Sequence, residues 1–268
     1  MKHVIMYSGG VGSFMAAKLV AKEVPVENII LLFTDTRTED EDLYRFVEET
    51  SIALGVQLVK LCDGRNVWEV FKDVRYLGNS RVAPCTRILK QKPARDWVIN
   101  NFKPDEVILY VGIDWTEIHR LEKIETNWKP YTIKAPLCEE PYITKEEIYH
   151  EILKYGIKIP RLYNMGFAHN NCGGFCVKAG QAHFKNLLLS LPERYSYHEN
   201  KEEELINFLQ KDVSILKRQR NNEIEKITLK KLREEIESQS DSIDLFDFGG
   251  CGCFIEEQRA NYYYIQIL

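Results

Sequence analysis

Through the first half of the chain, short apolar runs alternate with longer stretches of helical spacing. β-rich runs fall near His3 to Tyr7, Ile29 to Phe33, Gln57 to Leu61 and Glu106 to Val111. Between them, helical patterns fall near Ser13 to Lys22, Glu41 to Ala53 and Ile88 to Asn101. Strands separated by helix-length segments predict βαβ units, and with them an α/β fold whose open, mostly parallel sheet is covered by helices on both faces. The pattern shifts from about Glu199 to Ser240, where Glu, Lys, Arg, Asn and Gln dominate and Leu205, Phe208 and Leu209 keep a helical spacing. This predicts a helical C-terminal appendage, mostly solvated. The last segment, "DFGGCGCFIEEQ", sets three glycines and two cysteines between aromatics, which no helix interior holds. The expected division is 1–190 for the sheet domain and 191–268 for the appendage.

At 268 residues and 44% hydrophobic, the chain can build a large core, which excludes a disordered protein. A formal net charge of −4 supplies no overall basic field, so any nucleic-acid contact needs a local patch. "KRQRNNEIEKITLKKLREE", read as a basic helix, packs seven basic residues between Lys217 and Arg233. Its interspersed glutamates suit a solvated helix face, and its cations suit RNA or DNA phosphates. Met1 to Tyr7 carry no cleavable signal pattern, and no apolar run approaches the roughly 20 residues that span a bilayer. A cytoplasmic protein with no membrane partner is expected; self-association is left open.

The chemistry starts at "YSGGVGS". Its glycines permit positive φ and bring several N–H groups to one point, and the following helix adds its positive end. That is an anion cradle, to which Ser8 and Ser13 add hydroxyl donors, Ser13 also suiting the helix N-cap. A Walker A loop is excluded because no Lys follows the final Gly. Seven cysteines without an export signal point to thiol or metal chemistry. "NNCGGFC" supplies Cys172 and Cys176, and "GGCGCF" supplies Cys251 and Cys253; two close pairs far apart in sequence are what a tetrahedral zinc site or a [4Fe-4S] cluster needs. Such a site would clamp the C-terminus back onto the domain. Unrelated buried thiols and a redox dithiol are the alternatives. Cys62 and Cys138 read as core residues, and His119 and His169 as lone histidines without an assigned role.

Several stretches together resemble the PP-loop adenine nucleotide alpha hydrolases (N-type ATP pyrophosphatases), in their phosphoadenosine phosphosulfate (PAPS) reductase-like branch. "SGGVGS" is similar to the family's SGGxDS loop, "LLFTDTRTEDEDLYRFVEE" to its second strand, acidic-Thr turn and helix, and "PCTRILKQKPARDWV" to its basic segment. "YVGIDWTEIHRLEKI" and the stretch from Lys134 to Cys176 complete the resemblance, which runs from Val4 to about Lys178. It implies that Ser8, Gly9, Gly10, Gly12 and Ser13 cradle phosphates and that Asp35 and Thr36 lie near the adenosine. Arg87, Lys90, Lys92 and Arg120 would supply positive charge, with magnesium as the expected counter-ion of an ATP substrate. The implied reaction adenylates an acceptor and releases pyrophosphate, in the context of sulfur insertion or another modification of tRNA or DNA. A sulfonucleotide reductase using Cys85 or the C-terminal pair, and a non-catalytic nucleotide sensor or partner-binding module, are the alternatives. Two departures matter: Gly12 stands where the family has Asp, and Thr86 stands where iron-sulfur members have a second cysteine after Cys85.

Overall fold

The computed structural model describes residues 1–220 and 223–238. Five parallel strands form the central sheet in the order β3-β2-β1-β4-β5: β1 (Lys2–Met6), β2 (Ile29–Asp35), β3 (Gln57–Cys62), β4 (Val107–Tyr110) and β5 (Thr132–Lys134). Register pairs Ile5 with Leu31 on one side and with Tyr110 on the other. Because side chains alternate along a strand, each strand feeds two cores. Ile5, Tyr7, Leu31 and Phe33 face α1 (Val11–Glu23) and α2 (Glu41–Leu54), whereas Val4, Met6, Ile30 and Leu32 pack with residues of α4 (Lys92–Asn101) and α5 (Leu121–Trp128). The sheet expected from the sequence is thus present, covered on both faces.

Strand order reverses between β1 and β4. In open α/β sheets that switch point opens a crevice at the carboxyl ends of the strands, where ligands bind. The glycine-rich loop leaves β1 there and Gly112 follows β4.

The helix expected near Ile88 to Asn101 divides. A π-helical turn, Thr86–Gln91, precedes α4, and the Lys92 N–H reaches back to the Arg87 carbonyl. Pro93 explains the break: it has no N–H to donate, and its ring crowds the carbonyl four residues earlier, a conflict that a wider turn relieves. Lys90, on this turn, is buried.

The appendage departs from its description as mostly solvated. α3 (Val67–Asp73), α8 (Gln181–Ser190), α9 (Pro192–Leu209) and α10 (Leu229–Glu237) share a third core in which Trp68, Phe71, Phe175, Phe184, Tyr195, Leu205 and Leu232 are buried. Two shorter helices, α6 (Lys145–Leu153) and α7 (Arg161–Asn164), precede them. Leu205 and Leu209 are buried as their spacing suggests, while Phe208 stays 40% exposed under Lys72 and Arg75. The basic stretch is not one helix: β6 (Leu216–Arg220) and β7 (Glu223–Ile227) pair as an antiparallel hairpin before α10. Its cations are largely tied internally, Arg218 to Glu235 and Glu225, Lys226 to Asp212, Lys231 to Glu225 and Arg233 to Glu199. On the ribbon Arg218 stands opposite Glu225 and Lys217 opposite Lys226, so the cations do not line up as one helical phosphate-binding stripe.

Glu202 of α9 holds the hairpin in place. It is 1% exposed and accepts from the Ile215 N–H (2.9 Å) and the Leu229 N–H (2.6 Å). Burial outweighs those bonds and pushes its carboxyl up to about 7. A carboxyl raised in the fold contributes stability below its unfolded pKa, and that contribution is lost as pH rises through the folded value. Between about pH 4.5 and 7 the wild type is therefore expected to lose on the order of 3 kcal/mol relative to Glu202→Gln. Paired urea titrations across this range check it, and parallel pH profiles for the two proteins would refute it.

Candidate functional site: a glycine-rich loop beside a thiol cavity

The glycine-rich loop after β1 runs directly into α1. Gly9 has φ +74°, and the Gly10 N–H faces Ser8 Oγ at 3.4 Å, which in turn lies 3.4 Å from Ser13 Oγ. Ser13 is not the N-cap. Gly10 occupies that position, α1 starts at Val11, and the Ser13 hydroxyl donates to the Gly10 carbonyl at 2.7 Å. The Val11 N–H donates to the Tyr163 hydroxyl at 3.2 Å. Gly12, the departure from the family's Asp, is explained by contact: a Cβ there would stand 2.5 Å from the Gly112 carbonyl oxygen, and a Cβ on Gly112 would stand 2.5 Å from the Ser13 nitrogen. The two exits from β1 and β4 pack backbone to backbone, with no room for a carboxylate.

At the end of β2, the Asp35 carboxylate accepts from the Arg37 N–H (2.8 Å) and the Tyr44 hydroxyl (2.7 Å), and Thr36 is buried. Thr36 Oγ1 donates to Glu39 Oε1 at 2.9 Å. Glu39 also accepts the Cys172 N–H and pairs with Lys90 at 3.4 Å. Both side chains are almost fully buried, so this ion pair is only weakly screened by water. The Lys90 ammonium lies 3.6 Å from Cys172 Sγ. Lys90 forms a common wall of two small cavities: one lined by Tyr7, Ser8, Thr34 and Glu39, the other by Thr36, Cys85, Cys172 and Cys176.

The remaining candidates separate. Arg87 is exposed on the π turn, and Lys92 points outward, 69% exposed, to Asp96. Arg120 is buried and paired with Glu117, with its Nε unpartnered. His169 faces the charges of Glu117, Lys145, Arg120 and Asp114, and the protein around it pulls its pKa down. Cys138 is buried as expected, its thiol pushed up to about 11 by burial, whereas Cys62 is exposed at the end of the edge strand β3, not in the core. Glu39, Tyr163 and Asn170 were not singled out by the sequence. Glu39 is one acid among several in "TEDED", and only the fold brings it to Lys90 and Cys172.

Among the described residues, no group of three or more His, Cys, Asp or Glu side chains is arranged to hold a metal. Cys172 and Cys176 do share a cavity with Cys85, but Cys251 and Cys253, the other half of the expected clamp, lie outside the described residues. The magnesium expected with ATP meets a loop whose Asp position is closed by Gly112. No helix among the described residues is long and apolar enough to cross a membrane.

Residues 2–179 match the phosphoadenosine phosphosulfate reductase domain family. The chain belongs to this family. The loop, the acidic-Thr turn and the Lys90 segment all fall within the matched range, and the family is named for an adenine nucleotide. No curated protein matches the chain. Among solved structures, it is similar to phosphoadenylyl-sulfate (PAPS) reductase from Candida auris in a phosphate complex, at 13% identity and a TM-score of 0.40, covering 62% of this chain and 77% of that one. It is also similar to a predicted subunit of tRNA methyltransferase from Methanocaldococcus jannaschii, at 20% identity and a TM-score of 0.34, covering 60% of this chain and 91% of that one. The PAPS reductase domain thus occupies the first two thirds of the sequence, and the third core described above carries this chain beyond it.

Proposed function

We propose that this PAPS reductase-family chain binds ATP or a related adenine nucleotide with its phosphates in the Ser8 to Ser13 loop. It cleaves the α-β phosphate link, transfers AMP to an acceptor oxygen and releases pyrophosphate. The observation that carries this reading is the glycine-rich loop and helix N-terminus at the sheet's switch point, with Lys90 walling the adjoining cavity. Loop N–H groups, the Ser8 and Ser13 hydroxyls and the Lys90 ammonium would stabilise charge developing on the phosphates, which needs no protein nucleophile. Asp35 and Thr36 would border the adenosine, and Arg87 is exposed and able to meet the ligand. Sulfur insertion into nucleic acid, or another modification of it, is the proposed context.

One observation favours a second reading. Cys85, Cys172 and Cys176 line a cavity that shares Lys90 with the phosphate side, an arrangement suited to sulfonucleotide reduction by thiols. Pyrophosphate release from ATP and sulfite release from PAPS, measured side by side, separate the two. Ser8→Ala is expected to lower the rate about 10²-fold, the usual cost of removing one donor to a developing charge. Sulfite release dependent on Cys172, with no pyrophosphate formed, selects the reductase. Tight ATP binding without either product selects a nucleotide sensor.

A further inference from the structure

Asn170, only 1% exposed, precedes the cysteine turn and leans on the phosphate loop. Its Nδ2 donates to the Gly9 carbonyl at 3.0 Å, and its Oδ1 is shut off from solvent with no partner. The opposite orientation of the carboxamide would set oxygen against oxygen, so chemistry fixes which atom is the donor. A side chain kept only for packing would not strand a buried acceptor in this way. The bond to Gly9 is therefore what the amide is there to make.

A trans peptide points its C=O and the next N–H in opposite directions. Holding the Gly9 carbonyl against Asn170 thus turns the Gly10 N–H to the other side, where it meets Ser8 Oγ within the cradle. Glycine peptides flip at little steric cost. A flipped Gly9–Gly10 unit would aim a carbonyl oxygen at the ligand and repel an anion. We propose that Asn170 is a positioning residue that locks this peptide in its anion-accepting orientation, so that a residue 161 positions away in sequence makes the turn a phosphate site. This rests on the nucleotide-binding reading above.

The test compares the full-length wild type with Asn170→Leu and Asn170→Asp, measuring ATP and inorganic pyrophosphate binding by calorimetry from pH 5.5 to 8.5, with a thermal melt of each protein. Leucine is expected to weaken both ligands at least tenfold at every pH. Aspartate cannot donate when ionised but can when protonated, so its deficit relative to wild type is expected at pH 8.5 and should shrink towards pH 5.5. Titration of the ligand itself is common to both proteins and cancels in the ratio. If the leucine protein does not fold, the isosteric aspartate decides alone. Binding within twofold of wild type in folded variants overturns the proposal, and so does an aspartate deficit that ignores pH. A wild type that binds neither anion sinks the nucleotide reading and this inference together, whereas normal wild-type binding with unaffected variants sinks the inference alone.

Discussion

Asp40→Ala is expected to lower the free energy of unfolding by about 3–5 kcal/mol, the loss typical of a buried ion pair broken on one side. Asp40 is fully buried. Its carboxylate accepts from Arg161 Nε and NH2 (both 2.8 Å), from Arg194 NH1 (2.7 Å) and from the Asp42 N–H that it caps at the start of α2 (3.0 Å). Burial pushes its carboxyl up, but the two guanidinium groups and the cap more than reverse this and hold it below the usual carboxylate range. This stability is therefore present above the ordinary carboxylate pKa and is lost as pH falls below it. Asp40→Asn keeps the cap acceptor but loses the charge, and should fall between the two. Arg194 also donates to the Gly173 carbonyl at 2.6 Å, next to Cys172. The same substitution should thus raise the reactivity of Cys172 towards a thiol-alkylating reagent. Denaturant titration with a parallel alkylation rate measures both effects; a loss under 1 kcal/mol would mean that the arginines find full hydration without Asp40.

Gly12→Ala is expected to weaken nucleotide binding about 10²-fold. Its new Cβ would stand 2.5 Å from the Gly112 carbonyl oxygen, well inside van der Waals contact, and the obstacle is backbone. The loop must shift by the better part of an ångström, a displacement that can cost 10²-fold at a positioned site. Gly10→Ala makes the contrast: its Cβ would meet the Tyr163 hydroxyl at 3.2 Å and Ser8 Oγ at 3.4 Å, both on side chains able to turn, so a milder loss is expected. Gly12→Asp suffers the same clash and should not create the family's carboxylate site. Tighter nucleotide binding by Gly12→Asp, measured by calorimetry with magnesium present, would show that this position is open after all.

Much of the sheet domain was legible because its signals are local. Apolar runs of four to seven residues separated by helix-length amphipathic stretches leave few alternatives to βαβ units, and the glycine spacing of "SGGVGS" marks a strand-to-helix turn wherever it occurs. The hairpin was not legible. Lys217 to Ile227 alternates charged and apolar residues too sparsely to separate a ribbon from a helix, and its placement depends on Glu202, a residue that looks like one more surface acid in "NKEEEL". The N-cap lies at Gly10, three residues before Ser13, a level of detail that φ and ψ decide and composition does not.

The sequence by itself determined the alternation of strands and helices that makes a parallel sheet, the glycine turn and the order of its family motifs, since each strand, turn or motif is a short continuous stretch of chain. Only the tertiary structure decided what those motifs meet: Lys90 between the glycine-rich loop and Cys172, Glu39 joining them, Gly112 against Gly12 and Asn170 against Gly9. The physical reason is reach. Periodicity and turn propensity report on the next few residues, whereas a hydrogen bond or an ion pair forms between any two groups that the packed core brings within about 3–4 Å, however far apart they lie along the chain.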